Sequence, residues 1–309
     1  MRYRQLGHSG LTVSTVGLGC NNFGGRIDLD ASRQVIDAAL DAGITLFDTA
    51  DIYGGKGGSE EIIGQVLGSR RDRVVLATKW GSDMGTGPDA RGGRRYIRQA
   101  VEASLRRLRT DYIDLYQLHR PDPATPIAET LAALDELVDE GKVRYVGSSN
   151  FTSWQVADAD WTARELGAER MISAQNHYSL LHREPETELL GACERFGVGL
   201  LPFFPLANGL LTGKYHRGEP MPEGTRMAGR DVEQATWDAI EQLEGFAKER
   251  DHTLLELAFA GLLARPAVSS VIAGATKPGQ VASNVAAGEW ELSGDDVEAL
   301  DQLLAALPG

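Results

Sequence analysis

Cysteine is nearly absent: Cys20 and Cys193 are the only two in 309 residues and lie far apart, which excludes a disulfide framework or a zinc knuckle. Histidine is also scarce, with six residues and no metal-ligand spacing, so no metal centre is expected. No run of about 18 apolar residues exists to cross a bilayer as a helix. The leading MRYRQLGHSGLTVS lacks the apolar stretch and cleavage site of a secretory signal, so the expected location is cytoplasmic, with no membrane partner. Positive charge is in deficit, 31 Lys and Arg against 44 Asp and Glu, and a net charge of −13 repels a phosphate backbone. Nucleic acid is therefore excluded as a partner. The one dense basic run, RGGRRYIR at 91–98, reads as a loop leading into a solvated helix that Arg106, Arg107 and Arg109 continue. Also missing is the G-x-G-x-x-G turn of a dinucleotide-binding Rossmann unit, since the first strand ends in GLGCNNFGG.

What the chain does have is alternation. Strand-like apolar runs at 15–19, 45–48, 74–79, 113–119, 145–149, 173–176, 199–203 and 270–274 alternate with helical patterns such as 31–42, 60–67, 97–108 and 127–140. Gly43, Gly68 and Gly141 stop three of these helices, and short connections restart the strands. Eight βα repeats without a linker predict an α/β fold, a (β/α)8 TIM barrel forming a single domain over 1–309. Two segments stand outside the repeat. The N-terminus reads as a hairpin turning at His8-Ser9-Gly10 that caps one barrel end, and 293–307 as an extra helix with Ser293 as N-cap. The long Gly- and Pro-containing stretch 205–234 is expected to be a functional loop.

In such a barrel, chemistry belongs at the C-terminal strand ends. The second strand, ITLFD, delivers Asp48, with Tyr53 close behind; the third, VVLATK, delivers Lys79; the fourth, YIDLYQLH, delivers His119. Each residue alone is an ordinary turn-former or solvated side chain, whereas four proton-handling groups on three neighbouring strands make a candidate reaction centre. Carbonyl reduction needs a proton for the oxygen as hydride reaches the carbon. Tyrosine is a weak acid that a buried lysine ammonium can strengthen. A carboxylate such as Asp48 keeps Lys79 charged, and His119 can orient the carbonyl oxygen.

The segments LFDTADIYGGKGGSEEIIGQVL, VLATKWG, DYIDLYQLHRPDP, VGSSNF, QNHYSLL, TGKY and VIAGATKPGQVASNVAA, in this order, resemble the aldo-keto reductase family across nearly the whole chain. The resemblance implies NADP(H) as cofactor, a small-molecule carbonyl substrate and a Tyr-based tetrad of Tyr53, Asp48, Lys79 and His119. It also implies that Ser149, Asn150 and Gln175 hold the nicotinamide carboxamide and that Phe203 stacks on its ring. Leu206, Gly209 and Lys214 match the segment that wraps the pyrophosphate, and Arg226 is placed to close over it. Gly274, Thr276, Lys277, Gln280 and Asn284 match the adenosine end, where the Lys277 cation suits a 2′-phosphate. Phe204 and Ser283 depart from the family pattern, which commonly has Ser and Glu there. Loop positions after the strands assign Asn21, Phe23, Trp80 and Arg120 to the substrate pocket. The same fold also serves as the β subunit of potassium channels, so a cofactor-sensing regulatory subunit with little turnover is the alternative.

Overall fold

The computed structural model describes residues 1–85, 87 and 90–307. It opens with a two-stranded antiparallel hairpin, β1 (Tyr3–Gln5) and β2 (Thr12–Ser14), in which Tyr3 faces Ser14. Eight parallel strands follow: β3 (Val16–Gly19), β4 (Leu46–Asp48), β5 (Val75–Trp80), β6 (Ile113–Leu118), β7 (Val143–Ser149), β8 (Ser173–Gln175), β9 (Gly199–Leu200) and β10 (Val271–Gly274). Their sheet order, β10-β3-β4-β5-β6-β7-β8-β9, follows the chain except that the last strand returns beside the first. The remaining seam closes where Leu200 bridges Val268 and the Ile272 N–H donates to the Pro202 carbonyl (3.2 Å), so the eight strands form a (β/α)8 barrel.

Helices pack outside. Helix α1 (Leu29–Asp41) starts where Asp28 accepts from the Ala31 N–H and buries Val35, Ile36, Ala39 and Leu40. Around the ring follow α2 (Tyr53–Leu67), α3 (Arg94–Leu108), α4 (Ile127–Asp139), α5 (Ser153–Leu166), α6 (Leu189–Phe196), α7 (Gln234–Lys248), α8 (Leu254–Leu263), α9 (Pro278–Ala287) and α10 (Gly294–Ala306). Ser293 caps α10 in a capping box with Asp296, as expected, and α10 adds Leu300 and Leu304 to a core shared with Trp237 and Leu243.

Several boundaries shift by one to three residues, and two elements depart further from the sequence reading. The seventh barrel strand, expected over 199–203, is the two-residue β9, because Pro202 has no N–H to donate to a ladder. The chain nevertheless stays extended to Phe203, which bridges His177. Helix α2 is nominally continuous from Tyr53, but Gly54, Gly55 and Lys56 are left-handed (φ 68°, 76° and 71°) and Gly57 has φ 122°. Tyr53 therefore sits on a short turn of its own, ahead of the regular helix.

The strand period of two sets up the site. Leu46, Ala77 and Leu115 point into the barrel and form a plug with Leu6 and Val13 of the hairpin, whereas Phe47, Leu76 and Tyr116 join the core under the helices. Two residues beyond Leu46 and Ala77 come Asp48 and Lys79; four beyond Leu115 comes His119. The hairpin thus closes one end of the barrel, and polar side chains of the same alternation emerge at the other.

Candidate active site

Lys79 lies at the centre, fully buried. Its ammonium donates to both Asp48 oxygens (2.8 Å each) and to the Thr49 carbonyl (2.8 Å), and a weaker side-chain hydrogen bond links it to Tyr53. Burial, the largest single influence, favours the neutral amine, but the Asp48 carboxylate and Tyr53 together outweigh it and hold the Lys79 pKa above its ordinary value. The ammonium stands 5.2 Å from the centre of the Tyr53 ring. Burial pushes the Tyr53 hydroxyl pKa up, the Lys79 charge opposes this, and the net shift is upward. The sequence reading anticipated that lysine would lower it; its charge does act in that sense, and desolvation is larger.

His119 meets Tyr53 edge to face, ring centres 5.8 Å apart. Its imidazole is pushed down to about 3 by burial, with the Lys79 and Arg120 charges adding, so it is neutral at physiological pH. The Ser82 hydroxyl contacts Nδ1 at 3.2 Å. If Ser82 donates there, the ring proton sits on Nε2 and is available to an acceptor in the barrel mouth. Arg120 is exposed beside it.

The expected carboxamide contacts lie on the adjoining strands and are tied to this centre. The Gln175 side chain donates to Asp48 Oδ1 (2.8 Å), which leaves its amide oxygen Oε1 to accept. Asn150, at positive φ, donates to the His119 carbonyl (2.9 Å) and to Ser149 Oγ (3.1 Å), while Ser149 donates to the Gln175 carbonyl (2.9 Å). Phe203 is stacked on His177, with ring centres 5.6 Å apart. Leu206 and Gly209 begin the long loop, and a Cβ on Gly209 would stand 3.2 Å from the Lys214 ammonium. Arg226, further along, donates to the side-chain oxygens of Asn21 (3.3 Å) and Asn22 (3.2 Å), so the loop crosses to the turn after β3. Gly274 ends β10 against the same two asparagines.

At the start of α9, Gln280 accepts from the Thr276 N–H (2.7 Å) and hydroxyl (3.0 Å), Lys277 is the N-cap residue, and Asn284 is buried one turn below Gln280. Gln280 is therefore engaged in holding this turn together. Ser283 donates back to the Gly279 carbonyl. Lys214, Arg226 and Lys277 have no ion pair among the described residues.

Two expected pocket residues are not at the surface of the mouth. Phe23 and Trp80 are both 0% exposed: Trp80 stacks on Tyr116 with ring centres 4.4 Å apart and donates to the Arg91 carbonyl (3.1 Å). In this structure neither presents a ring face to a ligand; Asn21 and Arg120 remain exposed. A layer that sequence reading missed lies behind Lys79. Buried Glu60 accepts from Thr78 (2.6 Å) and from Arg107 of α3 (2.7 Å), bracing the strand residue next to Lys79. A Glu at the start of a helix looks like an ordinary dipole partner, so only its depth reveals it. No group of three or more His, Cys, Asp or Glu suited to a metal ion occurs among the described residues, and no described helix is long and apolar enough to cross a membrane.

The model of the Aldo/keto reductase family matches residues 15–305. The chain is 40% identical over 321 residues to an uncharacterized oxidoreductase, YrpG, of Bacillus subtilis, covering 100% of this chain and 97% of the relative. It is 37% identical over 303 residues to a probable voltage-gated potassium channel subunit beta of Arabidopsis thaliana (93% and 91%). It is also 35% identical over 322 residues to the L-glyceraldehyde 3-phosphate reductase of Escherichia coli (99% and 93%).

Proposed function

Because the chain belongs to the aldo/keto reductase family, we propose that it is a single-domain NADPH-dependent oxidoreductase that reduces an aldehyde or ketone to the alcohol, with Tyr53 as proton donor. The observation that carries this reading is the buried Lys79–Asp48 pair set against the Tyr53 ring at the open end of the barrel, with a neutral His119 beside it.

The residues fit a dinucleotide. Lys214, Arg226 and Lys277 are cations without ion-pair partners among the described residues on a chain of net charge −13, which suits a ligand carrying three phosphates. The side-chain oxygens of Gln175 and Asn150 and the second N–H of the Gln175 amide are the acceptors and donor left for a carboxamide, with Ser149 tied to the Gln175 backbone carbonyl and the Asn150 side chain, and Phe203 offers a ring face. When bound, the nicotinamide supplies the hydride.

The protein's own part is the oxygen. Tyr53 gives its proton to the carbonyl oxygen, and the Lys79 ammonium stabilises the charge left on the phenolate. Asp48 keeps Lys79 charged and fixed in place, and Gln175 in turn fixes Asp48. His119, neutral, orients the carbonyl through its ring N–H rather than supplying a full positive charge. Arg120 at the rim suits an anionic group on the substrate, in keeping with the phosphorylated aldehyde named for the Escherichia coli relative.

Tyr53→Phe tests the reading. Turnover of an aldehyde panel with NADPH should fall by about 100-fold or more, with quenching of NADPH fluorescence on binding retained; wild-type turnover in that variant would falsify the assignment. A second reading, a cofactor-binding regulatory subunit, draws on the 37% identity to the potassium channel subunit. Absence of steady-state turnover by the wild-type protein across that panel, with NADPH still bound, would favour it.

A further inference from the structure

One more carboxyl lies buried beside this centre, and the proposed reaction does not use it. Asp51 is 1% exposed, held by its own N–H on the Lys79 carbonyl (3.0 Å). Neither carboxyl oxygen has a hydrogen-bond partner of normal geometry, although the Ile52 N–H acts on it from the next residue. The groups that face it are Glu60 of α2, Arg107 of α3, Lys79 of β5 and Tyr116 of β6, whose hydroxyl is also buried without a partner.

The cations here are already committed. Lys79 serves Asp48 and Arg107 serves Glu60, so two carboxylates have their counter-charges and Asp51 has none among the described residues. An ionised carboxylate left unpaired in such a place is costly, whereas a carboxylic acid is not.

We propose that Asp51 is a positioning residue for the Tyr53–Lys79 centre: a buried carboxyl held in its neutral form, whose ionisation puts an uncompensated negative charge beside Lys79 and makes Tyr53 a poorer proton donor. This inference rests on the reading of Tyr53 as proton donor. Burial and the Glu60 charge raise the Asp51 carboxyl to about 7, against partial opposition from Arg107 and Lys79.

Below pH 7 Asp51 is neutral, and the charges of Asp48, Lys79, Glu60 and Arg107 balance. Above it, the added negative charge opposes the phenolate that forms as Tyr53 gives up its proton. Because the folded-state value is raised, the protein also binds this proton more tightly than the unfolded chain does. The associated stability is present below the ordinary aspartate value of 3.8 and is lost as pH rises through about 7.

The test is the pH profile of kcat for aldehyde reduction at saturating NADPH and substrate. The wild type is expected to lose roughly fivefold as pH rises through neutrality. Asp51→Asn, isosteric and permanently neutral, is expected to keep the low-pH rate and to lose that inflection. An Asp51→Asn profile that keeps the inflection overturns the proposal, however much its rate has fallen.

Infrared spectroscopy of the intact wild type with 13C-labelled aspartate reads the same proton without depending on how the variant folds. A label-sensitive carboxylic-acid carbonyl band that disappears as pH rises through 7 supports the proposal, and its absence below pH 7 overturns it. The band does not depend on turnover. Full activity in Tyr53→Phe with the band present removes the proton-donor reading, whereas an inactive Tyr53→Phe without the band removes only the role of Asp51.

Discussion

At the scale of single residues, Lys79 is fully engaged. It holds Asp48 and the Thr49 carbonyl, and it acts on Tyr53 both through its charge and through a side-chain hydrogen bond. Lys277 is the opposite case, an N-cap residue with no ion pair among the described residues, beside the helix start that the proposed 2′-phosphate would meet. Lys277→Ala is therefore expected to weaken NADPH binding about tenfold and to leave NADH binding unchanged, as measured by fluorescence titration of each cofactor. An equal loss for both would show that the lysine is merely solvated. Asp48, Lys79 and His119 were legible in the sequence because each stands at the end of an apolar strand, where alternation fixes the inward face. The burial of Phe23 and Trp80 was not legible, because proximity to a strand end does not say which way a large ring turns; Trp80 turns in against Tyr116. Asp51 and Glu60 were silent for another reason: near a helix start, a solvated acid and a buried one look alike in sequence.

At the scale of elements, α2 and α3 hold the Tyr53 segment from behind. A Cβ on Gly57 would meet the Arg107 side chain at 2.5 Å, and one on Gly64 would meet the Arg107 carbonyl and Leu108 backbone at 2.5 Å. The first contact could yield by movement of a side chain, but the second is against backbone. Gly64→Ala should thus force the two helices apart and destabilise the protein by ~1–3 kcal/mol, read as a lower midpoint in chemical denaturation; an unshifted midpoint would show that the helices repack freely. The repeat of strands and helices, the hairpin and the capped last helix were readable from period and punctuation. The left-handed run at Gly54–Lys56 and the shortness of β9 were not, since at Gly54 the first depends on the close approach of the Phe23 carbonyl and the Ser59 N–H, and the second on a single missing N–H at Pro202.

At the scale of the whole molecule, the barrel has one plugged end and one chemical end. Leu6 belongs to the plug, fully buried among Leu46, Ala77 and Leu115. Leu6→Ala should cost ~2–5 kcal/mol of stability by thermal or denaturant unfolding while leaving NADPH affinity unchanged, because the cavity opens at the end away from the candidate site. A comparable loss of cofactor affinity would show that the two ends are mechanically coupled. The hairpin is itself tied to the far end of the chain: Arg4 donates to the Val268 carbonyl (2.8 Å) and Arg2 to the Gly288 carbonyl (2.8 Å). Most tellingly, Val16 of β3 pairs with Val271 of β10. At ribosomal speeds the partner strand emerges on the order of tens of seconds after β3 does. Throughout that interval the nascent sheet has an open edge at its first barrel strand, so the last strand to be synthesised completes the ring, and chaperone protection matters most just before it appears.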